Sequence, residues 1–321
     1  MGLAVVEVIV GLAVLGWSAD RFILGAAGVA RGFGFPPLLI GMVIIGFGTS
    51  APEMVVTTFA ALGGNPEIAL GNAYGSNIAN IALILGITAI VVPIVVHKGA
   101  VKVEIPILIG VVGLAWWQFR DGLLSRADAG VLMVAFAAFV TWSFVHAMRG
   151  REDRMATDAE KELEDITLSR KRATIWLLVG LVVLVVSSFV LVDGAKVVAR
   201  GLGLSDLVIG LTVVAVGTSL PELASALAAV RRGEHDLVIG NIVGSCIFNG
   251  LGVVGLAGLI APASVDSLIV SRDLPVLGFL TIALGFAAYR LRHDRHINRI
   301  EGAGFVVAFI TYMGFLLAMS L

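Results

Sequence analysis

Residues 38–53, LLIGMVIIGFGTSAPE, are matched by residues 207–222, LVIGLTVVAVGTSLPE. Further along, residues 71–80, GNAYGSNIAN, are matched by residues 240–249, GNIVGSCIFN. Both pairs share one offset of 169 residues. It holds without a gap from Ala30–Arg31–Gly32 against Ala199–Arg200–Gly201 to Glu104–Ile105–Pro106 against Asp273–Leu274–Pro275. The chain is therefore a tandem duplication, and the unit that was duplicated decides the fold.

That unit is built from apolar runs. A helix needs roughly 20 apolar residues to cross the hydrocarbon core of a bilayer. On that ruler ten spans are predicted, at about 3–30, 36–62, 66–93, 101–119, 127–148, 174–199, 205–230, 236–261, 273–290 and 301–320. Nothing alternates with the ten-residue rhythm of barrel strands. The fold class expected is an all-α integral membrane protein of ten transmembrane helices. Residues 1–148 form the first five-helix repeat, with its motif at 41–86, and 174–321 the second, with its motif at 210–255. The hydrophilic stretch 149–173 joins them. Five spans is an odd number, so the second repeat must enter the membrane from the opposite side. The loops agree: GGNP (63–66) has no basic residue, whereas its counterpart RRGEH (231–235) has two. Inverted repeats of this kind are a common transporter architecture.

Composition points the same way. Of 321 residues, 58% are hydrophobic and only 14% charged, and the mean hydropathy is +1.00. A soluble domain is about a quarter charged, so a chain this poor in charge could not cover its own surface. Disorder is excluded by the same arithmetic. A net charge of −1 gives no reason to expect nucleic acid as a partner. The lone Cys246 removes any disulfide framework or cysteine-based zinc site. No cleavable signal peptide is expected, because the run Met1–Trp17 lacks a basic leader and continues into further apolar sequence. With the N-terminus outside, sixteen of the 22 Lys and Arg fall in cytoplasmic loops and four, including Arg272, outside. Both termini are thus expected outside the inner membrane, with the linker in the cytoplasm.

Chemistry is concentrated in the matched motifs. Glu53 and Glu222 stand in apolar spans, where an ionisable side chain costs about 2.5–3.5 kcal/mol on insertion scales. Two such groups at equivalent positions call for compensation by a cation, a proton or a partner. Pro52 and Pro221 precede them; each lacks an N–H and crowds the carbonyl four residues back, so the helix should break there and free carbonyl oxygens. Thr49 and Thr218 lie one turn before the glutamates, with Ser50 and Ser219 adjacent. Carboxylate, hydroxyl and carbonyl are hard oxygen donors, suited to Ca²⁺ or Na⁺. Asn72, Ser76 and Asn80 form one stripe on the third span, repeated by Asn241, Ser245 and Asn249. Capping of half-helices by the glutamates and interhelical bonding by the stripe are the structural alternatives.

GTSAPE and GTSLPE, each followed by GN-x-x-GS-x-I-x-N, resemble the two α-repeats of the sodium/calcium exchanger family of cation/Ca²⁺ antiporters. The chain looks like a compact prokaryotic member. The resemblance covers both halves and implies a central site where Ca²⁺ and Na⁺ compete, carried between the two sides by alternating access. It implies Glu53, Thr49, Glu222 and Thr218 as Ca²⁺ ligands. Ser50, Ser76, Ser219, Ser245, Asn80, Asn249 and the carbonyls of Gly46 and Ala215 would line neighbouring Na⁺ sites. Some members have Asp at the position of Asn80 or Asn249, whereas this chain has Asn at both, and Cys246 stands where its repeat mate keeps Asn77. No enzymatic activity, no cofactor beyond the transported ions and no obligate protein partner are expected; the surroundings are the lipid bilayer. A Ca²⁺/H⁺ antiporter and a cation channel are the alternative functions. An intramembrane hydrolase is rejected because the histidines that could serve as base are peripheral.

Overall fold

The computed structural model describes residues 2–32, 48–96, 100–149, 168–231, 235–289 and 296–320. Among them, nine helices are long and apolar enough to cross a membrane, and one further apolar helix is shorter. In chain order they are α1 (Gly2–Gly32), α2 (Ala51–Leu62), α3 (Pro66–Val91), α4 (Ile105–Gln118), α5 (Arg126–Arg149), α6 (Arg170–Leu202), α7 (Asp206–Arg231), α8 (Val238–Ile260), α9 (Ile269–Tyr289) and α10 (Arg299–Ser320). Each falls on one of the ten sequence-read spans. The first part of the second span, with Gly46, and most of the linker lie outside the described residues. Proline sits in the first turn of α2, α3 and α4, where the missing N–H would have had no intrahelical partner.

The duplication is visible in the backbone. A π-helical stretch at Ala79–Ile84 in α3 is matched by one at Asn249–Val253 in α8. Another at Ala100–Glu104, entering α4, is matched at Ile269–Asp273, entering α9. Two short ladders tie the halves together. Ile94–Val95, after α3, pairs antiparallel with His296–Ile297, before α10. Ala263–Ser264, after α8, pairs in the same way with Leu123–Leu124, before α5. The two ladders exchange places when the repeats are exchanged, as two-fold related halves require.

Burial separates the helices into a centre and a rim. In α3 and α8, 78% and 83% of the most apolar window is buried, against 17% in α5. The central helices pack through glycine. A Cβ on Gly71 of α3 would lie 2.8 Å from the carbonyl oxygen of Leu207 and 3.0 Å from Cα of Gly210 in α7, so the two backbones touch. Small residues permit such close approach where no hydrophobic force draws helices together. At the rim, α1 and α6 run antiparallel, with Gly11 against Leu191, Gly25 against Leu177 and Gly180 against Phe22. On the outer faces Phe286 is 75% and Val134 71% exposed, side chains that match acyl chains rather than water.

One sequence reading needs correction. Arg272, counted as an external loop residue, belongs to the π-helical turn entering α9, and its side chain is only 9% exposed. Its guanidinium grips the fully buried Asp273 through bonds of 2.6 and 3.1 Å, and the Tyr312 hydroxyl of α10 donates to the same carboxylate at 2.8 Å. A charge in that position is tolerated because it is paired and hydrogen-bonded. The proline breaks fall where the sequence reading puts them. Among the described residues the helix is interrupted at Thr49–Ser50 (Ser50 φ −85°, ψ 7°) and at Ser219 (φ −86°, ψ 6°). The Ser219 N–H donates to the Ala215 carbonyl at 3.1 Å, which leaves that oxygen one further lone pair.

Candidate functional site

The two breaks lie at the middle of the molecule, where α2 and α7 meet between α3 and α8. Each starts a new helical segment with its glutamate in the first turn. The unpaired N–H groups and macrodipole of a helix N-terminus favour a negative charge there. Glu53 and Glu222 are both wholly buried. Their supports are crossed. Ser219 of the second repeat donates to Glu53 Oε1 at 3.1 Å, and Ser50 of the first donates to Glu222 Oε1 at 3.3 Å. Each carboxylate keeps its second oxygen, Oε2, buried and without a partner among the described residues. Two half-satisfied carboxylates buried from the surface are costly unless something cationic or protic sits between them.

Neutral oxygens surround them. Thr218 Oγ1 lies 3.1 Å from Asn72 Oδ1, 3.2 Å from the Ala215 carbonyl and 3.3 Å from Ser76 Oγ. Ser76 Oγ reaches the same Ala215 carbonyl at 3.4 Å. Thr49 Oγ1 repeats the first contact on the other side, donating to Asn241 Oδ1 at 3.1 Å. Asn80, Asn249 and Ser245 are wholly buried, and among the described residues neither the amide groups of the two asparagines nor Ser245 Oγ has a partner. Both asparagines stand in the paired π-helical stretches of α3 and α8. Such bulges re-aim side chains and are frequent at functional sites. Of the twelve residues singled out from sequence, Gly46 lies outside the described residues. Hydrogen bonds join Glu53, Thr49, Ser50, Glu222, Thr218, Ser219, Ser76 and the Ala215 carbonyl to α2–α3–α7–α8 neighbours. Asn80, Asn249 and Ser245 are buried on α3 and α8.

Three features were not legible in the motifs. Asn77 donates to the Cys246 carbonyl at 3.0 Å, while the Cys246 thiol faces the Asn77 carbonyl at 3.8 Å. These two are repeat mates, and mates that touch each other must lie on the pseudo-two-fold axis. The axis therefore passes through the centre of α3 and α8. Asn72 and Asn241, taken as parts of one uniform polar stripe, instead bond the threonines of the opposite repeat. Thr57, which no motif marks, supports Asn72 at 3.0 Å. Partners that come from another helix, in the first two cases from the opposite repeat, leave no spacing in the sequence to read.

Comparison with known proteins agrees with this arrangement. The family described as sodium/calcium exchanger protein matches residues 3–145 and 172–318. CaxA of Alkalimonas amylolytica is 43% identical over 316 residues, covering 97% of this chain and 98% of that one. The inner membrane protein YrbG of Escherichia coli K12 is 39% identical, covering 100% and 98%. A solved structure of the sodium-calcium exchanger NCX_Mj, soaked with Na⁺ and Sr²⁺, superimposes with a TM-score of 0.68 at 32% identity, covering 97% of this chain and 98% of that one. With both repeats matched and full-length relatives at this identity, the chain is a multi-pass transporter that belongs to the sodium/calcium exchanger family.

Proposed function

We infer that the protein is a secondary antiporter that exchanges Ca²⁺ for Na⁺ by alternating access at the central acidic site. The crossed bonds Ser219–Glu53 and Ser50–Glu222 carry this reading, because they leave one unpaired carboxylate oxygen from each repeat in a buried, oxygen-rich centre. Glu53, Glu222, Thr49 and Thr218 are the Ca²⁺ ligands. Two carboxylates neutralise one divalent ion, and two or three monovalent ions would share the same charge less evenly. Ser50, Ser76, Ser219, Ser245, Asn80, Asn249 and the carbonyls of Gly46 and Ala215 line the Na⁺ positions. A proton needs only a carboxylate, so the dense supply of neutral oxygens favours Na⁺ as the counter-ion.

Pseudo-two-fold symmetry supplies the alternation. The site sits on the axis, so a path built from one repeat toward one side has an equivalent path from the other repeat toward the opposite side. Residues 1–148 and 174–321 are the two repeats, joined by a cytoplasmic linker at 149–173. The excess of Lys and Arg places both termini outside an inner membrane. No protein partner is required for the cycle. The test is ⁴⁵Ca²⁺ uptake into proteoliposomes with an imposed Na⁺ or H⁺ gradient. Uptake driven by outward Na⁺ at equal pH is expected. Uptake driven by a pH gradient in Na⁺-free buffer, unaffected by added Na⁺, would overturn Na⁺ coupling.

A further inference from the structure

Hydroxyl groups are ambiguous ligands. Each has one proton to give and lone pairs to offer, and only the lone pairs attract a cation. Around Thr218 the proton can be traced. Asn72 Nδ2 faces the main-chain carbonyl of Glu53 at 3.3 Å and Thr57 Oγ1 at 3.0 Å. A carbonyl can only accept, so the amino group must be the end turned toward Glu53. The amide oxygen is thereby fixed toward Thr218, at 3.1 Å, and must receive that hydroxyl's proton. The Ala215 carbonyl has two lone pairs. One takes the Ser219 N–H at 3.1 Å and the other is left for Ser76, at 3.4 Å. With Asn72 present, both hydroxyl protons are absorbed by protein acceptors. Without it, Thr218 turns its proton to the Ala215 carbonyl at 3.2 Å and Ser76 gives its own to Thr218 Oγ1 at 3.3 Å, which takes up a threonine lone pair that would otherwise face the cation.

The second repeat carries the same device in a weaker form. Asn241 Oδ1 accepts from Thr49 at 3.1 Å. The mate of Thr57 is Ala226, however, which has no group to accept from Asn241. Asn241 Nδ2 is buried with no partner among the described residues.

We propose that Asn72 and Asn241 are positioning residues for ion exchange, which take the protons of Thr218 and Thr49 so that the threonine lone pairs face the cation, and that Asn72 is held rigid by Thr57 while its mate is not. This rests on Thr218 and Thr49 being ligands, as inferred above. Neither asparagine touches the ion in this scheme; each acts through the opposite repeat's threonine and so couples the two halves at the site.

A double-mutant cycle in the full-length transporter tests it, read as the half-saturating Ca²⁺ concentration for Na⁺-driven ⁴⁵Ca²⁺ uptake. Asn72→Leu removes the acceptor and is expected to raise that concentration about tenfold, the worth of one hydrogen bond, with the maximal rate changed far less. Thr218→Val should raise it as well. In the Thr218→Val background, Asn72→Leu should add little, because the proton it managed is gone. Should Asn72→Leu fail to fold, Thr57→Val loosens Asn72 without touching the site, and its smaller rise should vanish in the same background. An equal effect of either change with and without the Thr218 hydroxyl, or no effect in wild type, would overturn the proposal. If instead Thr218→Val itself leaves Ca²⁺ half-saturation unchanged, the ligand assignment beneath it fails, and the proposal falls with it.

Discussion

Replacing Glu222 by Gln separates the charge of the site from its shape. Gln is isosteric, so its carbonyl oxygen can keep the Ser50 bond now made to Oε1 at 3.3 Å. The amino group then occupies the place of the unpartnered Oε2, presenting a donor where a carboxylate oxygen was. At an effective dielectric of about 20, unit charges about 4 Å apart interact by about 4 kcal/mol. One carboxylate therefore contributes about 8 kcal/mol to a divalent ion and about 4 kcal/mol to a monovalent one. The difference, about 4 kcal/mol, corresponds to about three orders of magnitude in the preference for one Ca²⁺ over one Na⁺. Folding should survive, because removing a wholly buried charge relieves an insertion cost of about 2.5–3.5 kcal/mol. Proteoliposomes loaded with Na⁺ give both readouts: ⁴⁵Ca²⁺ uptake should fall to background, while ²²Na⁺/Na⁺ exchange persists at a reduced rate. Glu53→Gln should behave alike. Wild-type Ca²⁺ uptake in both variants would refute the site, and equal losses for both ions in a stably folded variant would refute the charge argument.

The remaining expectations concern architecture. In a Cys246→Ser background, single cysteines at Asn65 and Glu234, which are repeat mates, should react with an impermeant maleimide from opposite sides, Asn65 from outside; labelling of both from one side would overturn the inverted topology. Gly71→Ala sets a methyl 2.8 Å from the Leu207 carbonyl oxygen and should destabilise by about 1–3 kcal/mol in thermal unfolding. Gly110→Ala, with nothing described within 4 Å of the new methyl, should be close to neutral. Asp273→Ala strands the Arg272 guanidinium and unpairs Tyr312, and should cost about 3–5 kcal/mol by the same measurement.

The sequence showed what was duplicated, and the structure shows where the copies part. The lengths of the apolar runs were enough to locate the ten spans, and a single offset to locate the two glutamates and the serine and threonine beside each, because those residues recur in both halves. Local rules were enough to place a break before each Pro-Glu. The partners of the site residues were beyond reach for a physical reason. They come from the opposite repeat: Ser219 serves Glu53, Asn72 serves Thr218, and Asn241 serves Thr49. An offset reports equivalence, while a two-fold axis sets contact, and only for residues on the axis do the two coincide, as for Asn77 and Cys246. Differences between mates were equally silent until the fold gave them neighbours. Thr57 against Ala226 and Arg272 against Val103 read in sequence as ordinary drift between old copies. In the fold, Thr57 pins one asparagine of the site, and Arg272 with Tyr312 holds a buried carboxylate between α9 and α10. A carrier whose two states were related by perfect symmetry would have equal energies facing either side. The unmatched supports are among the places where this chain departs from that equality.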